Sequence, residues 1–266
     1  MSSKYWVVVK QAFQESIHFR FELLIWIFLD TLPTLILFFV WQTVFRSSTE
    51  INGYTFSGMV EFYFYFLVIT NLSSSHFEEN HVTNIRKGQI DQYFTKPLSF
   101  PQQIFCEYIG SKVFYTLLLI PSLWMIALIA QHFFGVQFSP LNPTKVIEFV
   151  VLLLFAFVIE YYLALIIVLL GFWFEKADGL EQFKWLFISL LAGSIIPKVF
   201  MPEWLRSIII HTPFQYMYSV PIDIVQGRYS LHLTELIPVF LFVLTLAFIS
   251  WTLWQKATYK YTSAGG

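Results

Sequence analysis

The chain has 266 residues, of which 57% are hydrophobic, 20% aromatic and only 12% charged, against about a quarter charged in a soluble domain. That composition excludes an ordinary globular fold and predicts an all-α protein that crosses a membrane several times. With 16 basic against 17 acidic side chains there is no clustered basic surface for nucleic acid, and the single Cys106 allows neither an intrachain disulfide nor a multi-cysteine metal site.

Residues 4–20 place Trp6, Val9, Phe13 and Ile17 on one helical face and Gln11, Gln14, Glu15 and His18 on the other, the pattern of a helix lying in the membrane interface. No short apolar core with a small-residue cleavage site precedes it, so the first span is expected to stay in the mature protein. That span, residues 21–43, carries Asp30 near its middle and Pro33 one turn later, where a local kink is expected. A second span covers 59–77. Its lower half, Thr70 to Ser75, is too polar for lipid and is expected to face another helix or a cavity.

A polar island then fills residues 77–101. Ile85, Ile90 and Phe94 recur at helical spacing, Gly88 interrupts them, and Lys96-Pro97 closes the pattern. The spacing predicts a short helix lying flat on a membrane face. Arg86, Lys87 and Asp91 give it a mixed-charge edge, and Tyr93 and Phe94 offer aromatic area for a partner's groove.

A third span covers 109–134 with Pro121 inside it, and a fourth covers 145–174 with Glu160 near its centre. In the fifth segment only 185–196 is uninterrupted and apolar, about 18 Å at a rise of 1.5 Å per residue, too short to cross. It continues past Pro197 or turns back. Pro202-Glu203 ahead of Trp204, the capping-box form of Thr212-Pro213-Phe214-Gln215 and the stop at Gly227 favour turning back, through an outer re-entrant region at 197–234 that includes Pro221. The last span covers 236–254, and the whole of 1–266 reads as one transmembrane domain.

Six spans put both termini on one side. Eleven of the sixteen Lys and Arg residues, Lys4, Arg86 and Lys256 among them, fall with the termini and the island, whereas Arg46, Lys145, Lys198, Arg206 and Arg228 fall opposite. The termini and the island are therefore expected to be cytoplasmic.

Asp30, Glu61 and Glu160 are the acids within or beside spans, with no Lys or Arg at matching depth. Asp30 and Glu160 are candidates for a translocation path, together with Asn71, while Glu61 reads as a hydrogen-bonded structural acid. His76, Glu78, Glu79 and His81 lack the HExxH spacing of a zinc site and read as a solvated loop. Asp178-Gly179 does not continue into DGxxAR, Gly193-Ser194 lacks the GxSxG frame, and Asn71-Leu72-Ser73 lies at membrane depth. No GxxxxGK[ST] occurs, so an ATPase driving this chain must be another chain.

The order of elements resembles the type-2 ABC exporter permeases. Ile85-Arg86-Lys87-Gly88-Gln89-Ile90-Asp91, continuing to Lys96-Pro97-Leu98-Ser99, is similar to that family's coupling-helix region. Gly193 to Pro197, Met201 to Leu205, Thr212-Pro213-Phe214, Pro221 and Gly227 are similar to the SGxxxP, PxWL, PF and PxxxxxG run of a bacterial subfamily, with Ala192 where Ser is frequent. The resemblance implies a permease subunit in a bacterial cytoplasmic membrane, paired with a second permease, identical or homologous. It also implies two P-loop ATPase subunits that carry the ATP and Mg, with no cofactor on this chain and no catalytic residue. On the same resemblance Arg86, Gly88, Ile90, Asp91, Phe94 and Pro97 form the coupling surface, with Ile90 and Phe94 inserting into the ATPase. Two other classes stay open: an ion-coupled transporter using Asp30 and Glu160, and a membrane enzyme using the buried acids with His76 or His211.

Overall fold

The computed structural model describes residues 2–94, 97–174 and 178–261, and the regular elements among them are helices. They are α1 (Ser2–His18), α2 (Arg20–Val44), α3 (Phe56–Ser73), α4 (Glu78–Arg86), α5 (Asp91–Phe94), α6 (Phe100–Phe134), α7 (Pro143–Leu170), α8 (Asp178–Leu191), α9 (Glu203–His211), α10 (Ser219–Val225) and α11 (Leu236–Lys260). Short 3₁₀ turns lie before α9, α10 and α11. Four stretches are long and apolar enough to cross a membrane: α2, α6, α7 and α11 with the turn ahead of it. The second and fifth predicted spans are α3, with 18 residues, and α8, with 14, and neither is among those four.

The helix boundaries follow local chemistry. The Thr55 hydroxyl accepts from the Gly58 N–H at 3.2 Å ahead of α3, and Asn142 Oδ1 accepts from the Lys145 N–H at 2.8 Å ahead of α7. Ser99 and Gln102 form a reciprocal capping box around Pro101, so α6 starts nine residues before its expected apolar onset and takes over the end of the polar island. Thr212 forms no such box. Its hydroxyl donates back to the Ile209 carbonyl at 3.0 Å, and residues 213–216 form a 3₁₀ turn.

α3 is buried nearly all round, with Met59, Val60, Phe62, Tyr63, Leu67 and Ile69 at most 2% exposed. It forms the central post, as a helix without a polar face must when other helices can surround it. α2, α6 and α11 turn Phe, Trp, Leu and Ile side chains outward, which suits contact with hydrocarbon. The polar end of α3 is covered as expected, with Asn71, Ser73 and Ser75 all buried.

α1 packs along α6 through small residues. Ala12 and Ser16 are buried, while Trp6 is exposed, so the seam lies beside the aromatic stripe expected to define the helix. A Cβ added to Gly110 would stand 2.3 Å from the Val9 carbonyl oxygen and 2.8 Å from Ala12 Cβ. Glycine is what lets the two backbones approach. After α8 the chain reverses: Gly193 takes φ +66°, and α9, α10 and their connecting turns fold back before Gly227, at φ +72°, releases the chain towards α11.

Candidate functional site

The polar island forms an arm of two short helices, α4 and α5, joined by a turn at Gly88. Gly88 adopts φ +69°, a conformation that costs any other L-residue about 1 kcal/mol or more. Arg86, Lys87, Gln89 and Asp91 are exposed around this turn, and Pro97 is exposed at its base. Ile90 is fully buried, within one apolar cluster with Ile85, Tyr93, Ile104, Tyr161 and Leu165. The roles expected of Ile90 and Tyr93 are thereby corrected. The arm needs an apolar underside to lie against α6 and α7, and these residues supply it, so neither is free to fill a groove on another protein. The side chain of Phe94, and Lys96 as a whole, lie outside the described residues.

Both ends of the chain hold the arm. Lys4 Nζ donates to the Pro97 carbonyl at 2.6 Å. From beyond α11 the Tyr261 hydroxyl donates to Asp91 Oδ1 at 2.8 Å and lies 3.3 Å from the Gly88 carbonyl, while its ring meets Phe172 edge-on. The arm, the start of α1 and the end of α11 are therefore on one side of the protein.

Beneath the arm lies a buried ion cluster. Lys184 of α8 bridges Glu78 of α4 and Glu160 of α7; its Nζ is 3.1 Å from Glu160 Oε2, and it bonds Glu78 Oε1 directly. Ser75 Oγ accepts from Lys184 at 2.9 Å and donates to Glu78 Oε1 at 3.1 Å. Glu78 is 1% exposed and Glu160 4%. Glu78 Oε2 is buried with no hydrogen-bond partner among the described residues. Two expectations are corrected here. Glu160 has a cation at its depth, because the long lysine stem runs inward from the middle of α8, and residues 76–81 are not a uniformly solvated loop, since Glu78 and His81 are buried while His76 and Glu79 are exposed. The sequence did carry a signal: Lys184 shares a helical face with Ile188 and Leu191, the face that α8 turns to the protein.

His81 pairs loosely with Tyr93, its Nδ1 3.5 Å from the phenol oxygen, and Glu107 stands 3.9 Å from Nε2. Neither contact offsets the loss of hydration, and burial pushes the imidazole down to about 4. Among the described residues no group of three or more His, Cys, Asp or Glu side chains could hold a metal ion.

The remaining candidates are separated. Asn71 Oδ1 accepts from the Tyr115 hydroxyl at 2.5 Å, and the Asn71 carbonyl accepts from Lys112 Nζ at 2.9 Å. Asp30 is exposed on α2, with the Tyr115 hydroxyl also within its reach. Glu160 belongs instead to the ion cluster, away from any open face. Glu61 accepts from both the N–H and the hydroxyl of Ser139, at 2.9 and 2.8 Å, as a structural acid should.

Among residues 197–234, Pro197 and Pro221 are buried, Pro213 opens the turn before α10, and Trp204 is 66% exposed. Phe214 packs edge-on against Phe187 of α8 and Phe242 of α11, with centroids 5.7 and 5.2 Å away. The Tyr63 hydroxyl donates to the Ile195 carbonyl at 3.1 Å, and the Ser219 N–H to the Ala192 carbonyl at 3.3 Å, which fixes the C-terminal end of α8 to α3 and α10.

In comparisons with known proteins, a family model described as ABC-2 family transporter protein matches residues 31–265, all of the chain beyond α1 and the first part of α2. No curated protein matches the chain.

Proposed function

The chain belongs to the ABC-2 transporter family, as the membrane component of such a transporter, and from that premise we propose that it is a permease subunit of an ATP-driven exporter in a bacterial cytoplasmic membrane. It crosses the membrane six times, through α2, α3, α6, α7, α8 and α11, with the re-entrant region completing the short fifth crossing. The termini and the arm face the cytoplasm. Two P-loop ATPase subunits supply ATP and Mg, and a second permease, identical or homologous, forms the other wall of the path.

The observation that carries this reading is the arm itself: a polar turn presented to solvent, underpinned by an apolar cluster and held by Lys4 and Tyr261 from opposite ends of the chain. A rigid, mixed-charge projection suits docking into a soluble subunit better than contact with lipid. Arg86, Gly88, Asp91 and Pro97 would meet the ATPase, while Ile90 supports them from within. ATP-driven closure of the ATPase pair would press on two such arms and tilt the helices above them. Asp30 and Asn71, joined through Tyr115, would line the path beside α2 and α3. Ion-coupled transport through Asp30 and Glu160 is disfavoured, because Lys184 occupies Glu160.

Affinity purification from native membranes tests this. Intact chain should bring down a P-loop ATPase, and an Arg86→Glu, Lys87→Glu variant, altered only at exposed positions, should insert normally but lose most of it. Absence of any ATPase from the intact sample would refute the reading.

A further inference from the structure

The helix that carries Lys184 is tied near its middle by that lysine and just beyond its C-terminal end by two backbone carbonyls, with Ile188 and Ser189 buried between. One face of α8 is open, with Phe183, Trp185, Leu186 and Phe187 all more than 40% exposed. Midway along it Lys184 is drawn into the protein by Glu78 and Glu160. At its C-terminal end the Ala192 and Ile195 carbonyls are held by Ser219 and Tyr63. Between Lys184 and Leu191 the backbone is uninterrupted helix, about 10 Å of it. Glu181, one turn earlier, pairs with His76 at 4.0 Å near the surface.

From this arrangement we infer that Lys184 is a positioning residue that transmits displacement of the arm to the outer re-entrant helices, through the Glu78 carboxylate on one side and the α8 rod on the other. The inference rests on the reading of the arm as an ATPase docking site. Glu78 is the first residue of α4, and Ser75 fixes its carboxylate on Lys184, so movement of α4 shifts the ion pair. The ion pair is buried at low dielectric and does not exchange readily with water, so α8 follows rather than lets go. Helices are stiff along their axes and packed interfaces switch between discrete arrangements, so the shift reappears at Ala192 and Ile195, where α10 and the preceding turns begin. Glu160 keeps the lysine aligned from α7. Replacing the cluster by neutral side chains of similar size preserves packing and removes the link, because a buried ion pair contributes little net stability compared with such replacements.

The test uses the complex of the chain with its ATPase, purified from native membranes, with Cys106→Ala and a reporter Trp204→Cys. The rate of maleimide labelling is compared with and without ATP held in its transition state by vanadate. Coupling of ordinary size changes that rate by about fivefold or more in the otherwise intact chain. The neutral triple Glu78→Gln, Lys184→Met, Glu160→Gln should retain the ATPase yet show a ratio near one, and Lys184→Arg should restore the response. A triple variant that keeps the full nucleotide response overturns the inference. Should the triple fail to accumulate, Glu78→Asp retains every charge but shortens the link by one methylene. A reduced response there supports the inference, and an unchanged one overturns it. Failure of any ATPase to co-purify with the intact chain refutes the docking reading, and this inference with it.

Discussion

His81, in α4 and outside the spanning helices, is a buried imidazole whose protonation is suppressed by loss of hydration. In the unfolded chain it takes a proton below about pH 6.5, but in the folded protein not until about 4. Between those values the unfolded state binds the additional proton, so stability falls as pH drops through that window, by about 2 kcal/mol at pH 5. Thermal unfolding in detergent should show this as a lower Tm at pH 5 than at pH 7, and His81→Gln should remove most of the difference. An undiminished pH effect in the variant would place the titration elsewhere. Single residues of this kind were only partly legible in the sequence. Glu61 and Asn71 were foreseeable, because an acid or amide beside an apolar run must find partners and both did. Lys184 was legible only in part: it shares a helical face with Ile188 and Leu191, but position in the chain counts it with a charged loop, and the bundle is what shows its stem turning inward.

At the scale of helices, the seam between α1 and α6 is set by a missing side chain. Gly110→Val would drive carbon into the Val9 carbonyl, which is backbone and cannot rotate away. Overpacking of this sort costs about 1–3 kcal/mol, and it should appear as faster hydrogen exchange across α1 while the rest of the protein is unchanged. Gly179→Ala, at a site with open space and ordinary backbone, serves as the silent control. Unchanged exchange in Gly110→Val would mean that α1 is held by its other contacts. Asn142 with Pro143 starts α7 within two residues of the expected onset, whereas Ser99 with Pro101 starts α6 nine residues ahead of its own, because an apolar pattern does not register a polar first turn. Which face of α1 or of the arm turns inward could not. Periodicity marks an apolar stripe, but close packing selects small residues such as Ala12 and Ser16, and the arm spends Ile90 on its own footing.

For the molecule as a whole, the open question is orientation. With Cys106 replaced, a cysteine at Gln89 and one at Trp204 report on opposite faces in the six-span arrangement. A membrane-impermeant maleimide should label Trp204→Cys on intact cells and Gln89→Cys only after permeabilisation. Labelling of both under the same condition would exclude six spans. The apolar content made a multi-pass protein legible at once, whereas α3 and α8 fall outside the four clear spans because one is diluted by Glu61, Asn71 and its hydroxyl side chains and the other has only 14 residues. The family match begins within α2, so α1 lies outside the matched residues, yet it grips the same arm that those residues present. Tyr261 grips it from the other end, and this has a consequence for biogenesis. Of the contacts described for the arm, the hydroxyl on Asp91 comes from the residue latest in the chain. During synthesis the arm is made early, with more than half of the chain still to follow, and it stays unfinished until α11 has been inserted. An incomplete nascent chain therefore lacks the finished arm, and under the proposed docking role assembly with an ATPase would be deferred until translation has passed α11.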